Sequence, residues 1–295
     1  MIWSIFEDNQ YYLTENMRLK KEDCGKERQK LHMFQVFMNQ MGQGQLPPND
    51  EGNIDLPEDL CMSDFESENE MEDAAIEYVF GDINHHARDA DFMMNNVIIC
   101  PLNKNVWRIN NKIAETLNEE EFISYASDTP SEENPEVPIE FLNTLDVPGL
   151  PLYELRLKVG MPIMVIRNIN KKRNICNGTR LIVEKITRCL LYAFNPARNN
   201  ERVVLPRIEL ESDLDKVGFL WRRRQFPVYP AFAFTLNKAQ GQTISGRVGI
   251  FLWHQCFSHG QLYVATSRIT HPDHVKYFIK SREDGARNVV ITQII

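Results

Sequence analysis

The sequence predicts an α/β protein: a mostly parallel, doubly wound sheet with a small antiparallel β-barrel set into it. Three observations carry that expectation. Strand-like and helix-like apolar periods alternate at 97–117 and again after residue 228, which is the signature of a parallel sheet with crossover helices. Short β-rich runs separated by Asn, Gly and Pro turns fill 140–210. A chain of 295 residues is long enough for one large domain or two smaller ones.

Each element follows in order. In "KERQKLHMFQVFMNQM", Leu31, Phe34, Phe37 and Met38 fall near helical spacing. No Lys or Arg occurs between Lys30 and Arg88, and "PPNDEGNIDLPEDLCMSDFESENEMED" is acidic with few aliphatics. Such a composition suits a flexible insert or a solvated acidic surface, so 31–94 is expected to be an acidic, partly disordered insert. Val97 to Cys100 is a short apolar strand; Leu102, Val106, Ile109, Ile113 and Leu117 then mark one face of an amphipathic helix. "ASDTPSEENPEVP" reads as a second acidic loop. "LKVGMPIMVIRNI", "NGTRLIVEKI", "CLLYAFN" and "ERVVLPRIEL" are the strands of the barrel. After it come "VYPAFAFT" as a strand, "LNKAQGQTI" as a polar turn or helix start, and "GRVGIFL" as a strand. "SHGQLYVATSRI" is read as a helix with Ser258 as N-cap, and "HVKYFI" as a final strand.

Charge divides the chain. Residues 156–295 hold 23 Lys/Arg against 9 Asp/Glu, whereas residues 1–155 hold 10 against 32, so a net charge of −8 conceals a basic and an acidic half. A basic half of that size is the footprint of a polyanion, with nucleic acid the first suspect. No run reaches the ~18 apolar residues of a membrane helix, and "MIWSIF" is followed by polar residues rather than a signal-peptide core. Six cysteines without a CxxC pair indicate free thiols in a reducing compartment, so an intracellular location is expected, nuclear if the source is eukaryotic.

The polar cluster Thr235, Asn237, Lys238, Gln240, Gly241, Gln242 and Thr243 follows a buried strand, where open α/β sheets place ligands; a solvated turn would occupy the same position. "AFAFTLNKAQGQT" resembles motif V of the PIF-family DNA helicases, the RecD-like branch of superfamily one, and "FSHGQLYVATSRI" resembles their motif VI. "LKVGMPIMVIRNINKKRNICNGTRLIV" is similar to the small barrel of their second motor domain, "VIICPLNKNVWRINNKI" to the strand and helix before it, and "YYLTENMRL" to motif IV. The closest likeness is to helicases of Helitron-type transposons, over roughly 9–20, 95–115 and 140–280. The resemblance implies a RecA-like second motor domain. It would divide into 1–30 with motif IV, the insert 31–94, and a strand, helix and acidic loop at 95–139. The barrel at 140–210, motifs V and VI at 211–282 and a tail at 283–295 would follow.

It also implies roles. Such motors hold ATP between two RecA-like domains, the second lending arginines that neutralise charge developing on the γ-phosphoryl group. Arg268 matches the main finger and Arg18 the other; Gln240, Gly241, Gln242 and Gln261 match positions near the nucleotide. Thr235, Asn237 and Lys238 would touch phosphates of single-stranded DNA; a basic strip of Arg167, Lys171, Lys172, Arg173 and Arg180 on the barrel is either a further contact with that backbone or a solvated charged face. Asn237 stands where the family often has His, so it donates and accepts hydrogen bonds but cannot become cationic.

One expected motif is missing. No GxxxxGK[ST] loop or Mg²⁺-holding acidic pair occurs; "CGKER" lacks the upstream glycine and has Glu27 where Ser or Thr belongs. The resemblance therefore implies the C-terminal half of an ATP-dependent DNA helicase, with ATP and Mg²⁺ bound in the complete enzyme and not tightly by this chain. Its partners would be single-stranded DNA and an N-terminal motor domain. The alternatives are a non-catalytic single-stranded DNA-binding module, a decayed transposon-derived reading frame, and an interaction protein in which the acidic half matters most. No metal site is expected: "HQCFSH" offers His254, Cys256 and His259 but no fourth ligand, and His85-His86 reads as structural.

Overall fold

The computed structural model describes residue 19 and residues 26–132, 135–147, 149–212 and 218–291. The chain opens with α1 (Lys26–Gln43), β1 (Asn53–Ile54), β2 (Cys61–Met62), α2 (Glu68–Phe80), α3 (Ala90–Asn95), β3 (Val97–Cys100) and α4 (Asn103–Thr116). An antiparallel region follows: β4 (Glu121–Tyr125), β5 (Ser127–Pro130), α5 (Ile139–Asn143), β6 (Glu154–Lys158), β7 (Pro162–Val165), β8 (Arg180–Ile186), β9 (Leu190–Asn195), β10 (Glu201–Pro206), β11 (Ile208–Glu211), β12 (Trp221–Gln225) and β13 (Val228–Pro230). The chain then returns through β14 (Ala233–Thr235), α6 (Leu236–Ala239), β15 (Val248–Phe251), α7 (Gln261–Thr266), β16 (Val275–Phe278) and β17 (Ala286–Arg287).

The expected parallel sheet is present, in the order β14-β3-β15-β16-β2, with every neighbouring pair parallel. Its strands are buried on both sides, and side chains alternate between two cores as a period of two requires. Ile98, Cys100, Phe251 and Phe278 join residues of α2 and α4 on one side. Val97, Ile99, Ile250 and Tyr277 join residues of α1 and α7 on the other. Gly249 allows the close approach of α2: a Cβ there would lie 3.2 Å from Val79.

The antiparallel region is a five-stranded sheet, β10-β9-β8-β7-β13, beside the three-stranded β11-β12-β5 and the pair β4-β6. Its strands run from Glu121 to Pro230, beyond the expected 140–210 at both ends. Part of the stretch expected to be an acidic loop is strand β5, because Asp128 accepts two hydrogen bonds from Arg223, at 2.8 and 2.7 Å, with both side chains fully buried. Composition reports such a carboxylate as surface; only its partner, 95 residues away, puts it inside.

Three further expectations change. The acidic stretch 31–94 is largely ordered: β2 edges the parallel sheet, and Met71, Ala75, Val79 and Phe80 of α2 are buried in its core. The apolar residues of α2 recur every four positions, so the helix packs with Glu70, Asp73 and Glu77 exposed, while Glu72 is buried and paired with Arg108 and Lys112 of α4. "VYPAFAFT" is two strands, not one: β13 pairs antiparallel with β7 and β14 parallel with β3. Buried Asn110 holds the join, accepting from the Phe232 and Ala233 amides and donating to the Ala233 carbonyl. Finally, α7 begins after Gly260, which sits at φ 69°, rather than after Ser258. There the Gln261 side chain accepts from the Phe257 and Ser258 amides.

Candidate nucleic-acid interface

Strand β14 delivers Thr235 to the carboxyl edge of the sheet, level with Cys100 of β3. The single turn α6 then buries Leu236 and Ala239, which leaves Asn237 exposed and Lys238 half-buried on the outer side. Gly241, at φ 84°, reverses the chain in a conformation that favours glycine. Two hydrogen bonds tie this loop to the connection between β7 and β8. Lys238 donates to the Asn177 side chain at 2.9 Å, and Gln242 donates to the Gly178 carbonyl at 3.1 Å.

Between the loop and that connection lies a cleft of about 610 Å³. Thr235, Asn237, Lys238, Gln240 and Gly241 line one side and Arg167 the other, over a floor that includes Met164, Ile166 and Phe234. Among the described residues, two cations and no carboxylate line it. Burial, then the charge of Arg167, hold the Lys238 ammonium below the ordinary lysine value. Like charges held close without a counter-charge favour an anion between them.

The other expected residues are distributed as follows. Lys171, Lys172 and Arg173 are exposed in a short turn of the same β7–β8 connection, where Arg173 pairs with Glu201. Arg180 does not belong to the basic strip: it is buried and donates to the carbonyls of Met93, Met94 and Ala231, so it joins elements of the fold. Gln240 and Gly241 share the cleft with Lys238, whereas Gln242 reaches Gly178 and Gln261 is occupied at the start of α7. Arg268, half-exposed just after α7, donates to the Val264 carbonyl at 3.0 Å and the Ser267 hydroxyl at 2.9 Å. Its own carbonyl accepts from the Ile244 amide at 2.9 Å, so the loop after Gly241 and the segment after α7 are linked through backbone. Arg18 lies outside the described residues.

Sequence reasoning did not single out Trp107, Tyr229 and Asn177, which also line the cleft. A tryptophan one position off the apolar stripe of α4 was the available signal. His254, Cys256 and His259 have separate roles: His254 lies beside Glu68, Cys256 is buried with its thiol pushed up to about 12, and His259 accepts from the Ile291 amide. Among the described residues one trio of possible metal ligands converges, Glu27, His271 and Asp273, and Lys30 already pairs with Asp273 there.

Comparison with known proteins shows what this chain is similar to. A family model described as the 2B domain of DNA helicase Pif1 matches residues 140–186. The chain is a relative of the Pif1 helicases. Over 193 residues it is 28% identical to the ATP-dependent DNA helicase Pif1 of Campylobacter jejuni, a match covering 61% of this chain and 41% of that protein. The crystal structure of Bacteroides Pif1 bound to single-stranded DNA superposes with a TM-score of 0.55 at 21% identity, covering 95% of this chain and 52% of that one. Bacteroides Pif1 in complex with ADP-AlF3 and single-stranded DNA gives 0.54 at 20% identity, over 90% and 51%. These superpositions establish a Pif1-like fold. The chain spans about half, or less, of the length of the Pif1 proteins it matches.

Proposed function

We propose that this chain supplies the second motor domain of an ATP-dependent DNA helicase of the Pif1 type, gripping single-stranded DNA in the cleft between the 235–242 loop and the β7–β8 connection. The observation that carries this reading is the paired cations Arg167 and Lys238 facing a cleft with no carboxylate in its lining. Phosphates of a single strand would be held by Lys238, Arg167 and the polar groups of Thr235 and Asn237, with Lys172 and Arg173 extending the contact along the hairpin.

On this reading the nucleotide belongs to a different surface. A Walker-type loop and a Mg²⁺-holding acidic pair are not among residues 1–295, so phosphate cradling must come from another domain. Hydrolysis of ATP held there with Mg²⁺ would supply the free energy of translocation. Arg268 fits as the arginine lent to that site, since it stands at the matching place in the motif VI resemblance and its guanidinium is half-exposed just after α7. The Ile244–Arg268 backbone bond would transmit strain between grip and nucleotide.

The test is a paired measurement. The chain should bind single-stranded oligonucleotide with a log–log salt slope near −0.7 per phosphate neutralised. Lys238→Ala should weaken binding and flatten the slope by about one phosphate, while Arg268→Ala should leave binding nearly intact. In an enzyme completed with a Walker-containing domain, Arg268→Ala should lower ATP turnover by ~10³-fold or more. Strand binding with no turnover in the completed enzyme would leave a single-stranded DNA-binding module. Equal loss of both properties in both variants would make Lys238 and Arg268 structural.

A further inference from the structure

Trp107 stands between two clefts of opposite charge. On one side is the basic cleft with Arg167 and Lys238. On the other is a cleft of about 540 Å³ whose acidic lining residues are Glu115, Glu121, Asp146 and Glu154. Arg156, its one cationic lining residue, is bound to Glu121 and Glu154, which leaves Glu115 and Asp146 unbalanced by it. Trp107 and Pro230 line both clefts and so form the wall between them.

The wall is braced by an aromatic contact. Trp107 meets Tyr229 edge-on, with ring centroids 4.6 Å apart and planes at 74°. The Tyr229 hydroxyl donates to the Leu150 carbonyl, and burial pushes that phenol up to about 12, so it remains a neutral donor. An edge-on contact leaves both faces of one of the two rings uncovered by the other. The cleft floor adds Met164, Ile166 and Phe234. Phosphates alone have no use for such a floor, whereas nucleobases do.

We infer that Trp107, braced by Tyr229, is a base platform: a nucleobase of the bound strand stacks on it while the flanking phosphates rest on Arg167 and Lys238. This rests on the strand-binding reading of the cleft and adds a contact to the base. The charge boundary fixes where the contact falls, because phosphates held on the basic side are repelled by Glu115 and Asp146 beyond the wall. The strand turns at the wall, and the base at the turn is the one free to stack. Stacking of this kind tolerates any base, so the platform contributes affinity without reading sequence.

The experiment uses the full chain and two probes of equal length and phosphate number, an oligothymidylate and an abasic oligomer. Wild type should prefer the oligothymidylate. Trp107→Ala should lower oligothymidylate affinity about tenfold and leave abasic affinity unchanged, and Trp107→Phe should restore most of the loss. Lys238→Ala should weaken both probes alike. Oligothymidylate binding within twofold of wild type in Trp107→Ala, or equal losses for both probes, overturns the platform and makes Trp107 a packing residue. Binding of neither probe by wild type overturns the strand reading itself, and the platform with it.

Discussion

Lys238 shows how one side chain reports on the site around it. Half-buried beside Arg167 and donating to the neutral Asn177 amide oxygen, its ammonium is made easier to deprotonate than a free lysine by burial first and the Arg167 charge second. A folded-state value below the unfolded value of 10.5 means that the unfolded chain binds more protons in that interval, so this residue's contribution to stability improves as pH rises through it. Binding has the opposite sign, because a phosphate needs the charged form. Strand affinity should therefore fall with rising pH before the ordinary lysine range is reached. Lys238→Arg should move that fall upward. Anisotropy titrations of both proteins on one oligonucleotide measure it, and superimposable profiles would show that Lys238 is not the titrating contact.

Arg180 matters at the level of elements. It lies at the start of β8 in the antiparallel region, yet its guanidinium reaches the carbonyls of Met93 and Met94 in α3 and Ala231 just before β14. The face of Phe234 lies 5.4 Å away. Burial lowers its ordinary value to about 10. It serves as a bolt between two sheets. Arg180→Met keeps the apolar stem and removes the donors, so it should cost about 2–4 kcal/mol in urea unfolding, with DNA contacts near Lys238 disturbed only through the fold. A loss under about 0.5 kcal/mol would mean that solvent replaces the bonds without cost.

Over the whole molecule, the acidic and basic halves are not separable parts. The acidic half provides β2, β3, α2 and α4, two of the five strands of the parallel sheet among them, and one continuous apolar core joins Met71 and Val79 to Leu181 and Val203. Among the described residues no helix is long and apolar enough to cross a membrane. A protein lacking 1–139 keeps the basic surface but loses β3 from between β14 and β15. It should show no cooperative thermal transition and no near-ultraviolet dichroism, while the full chain shows both. A cooperative transition in the truncated protein would show that the antiparallel region folds alone.

Local signals were sufficient wherever the cause was local. The short apolar run Val97–Cys100, the stripe Val106, Ile109, Ile113 and Leu117, and the polar exit after Thr235 are fixed by neighbours within a few residues, and each was legible in the sequence. So was the cluster of Lys238 with Thr235 and Asn237, because a strand end in a parallel sheet has one place to put its loop. Tertiary structure alone decided the rest. Arg180 and Arg167 are the same residue type thirteen positions apart, but one meets three carbonyls inside and the other meets solvent and Lys238. Asp128 looks like any loop carboxylate until Arg223 reaches it. Trp107 acquires its position only when β13 brings Tyr229 against α4. Burial and pairing depend on what arrives from far along the chain, and a charge or a ring carries no mark in the sequence of which partner will meet it.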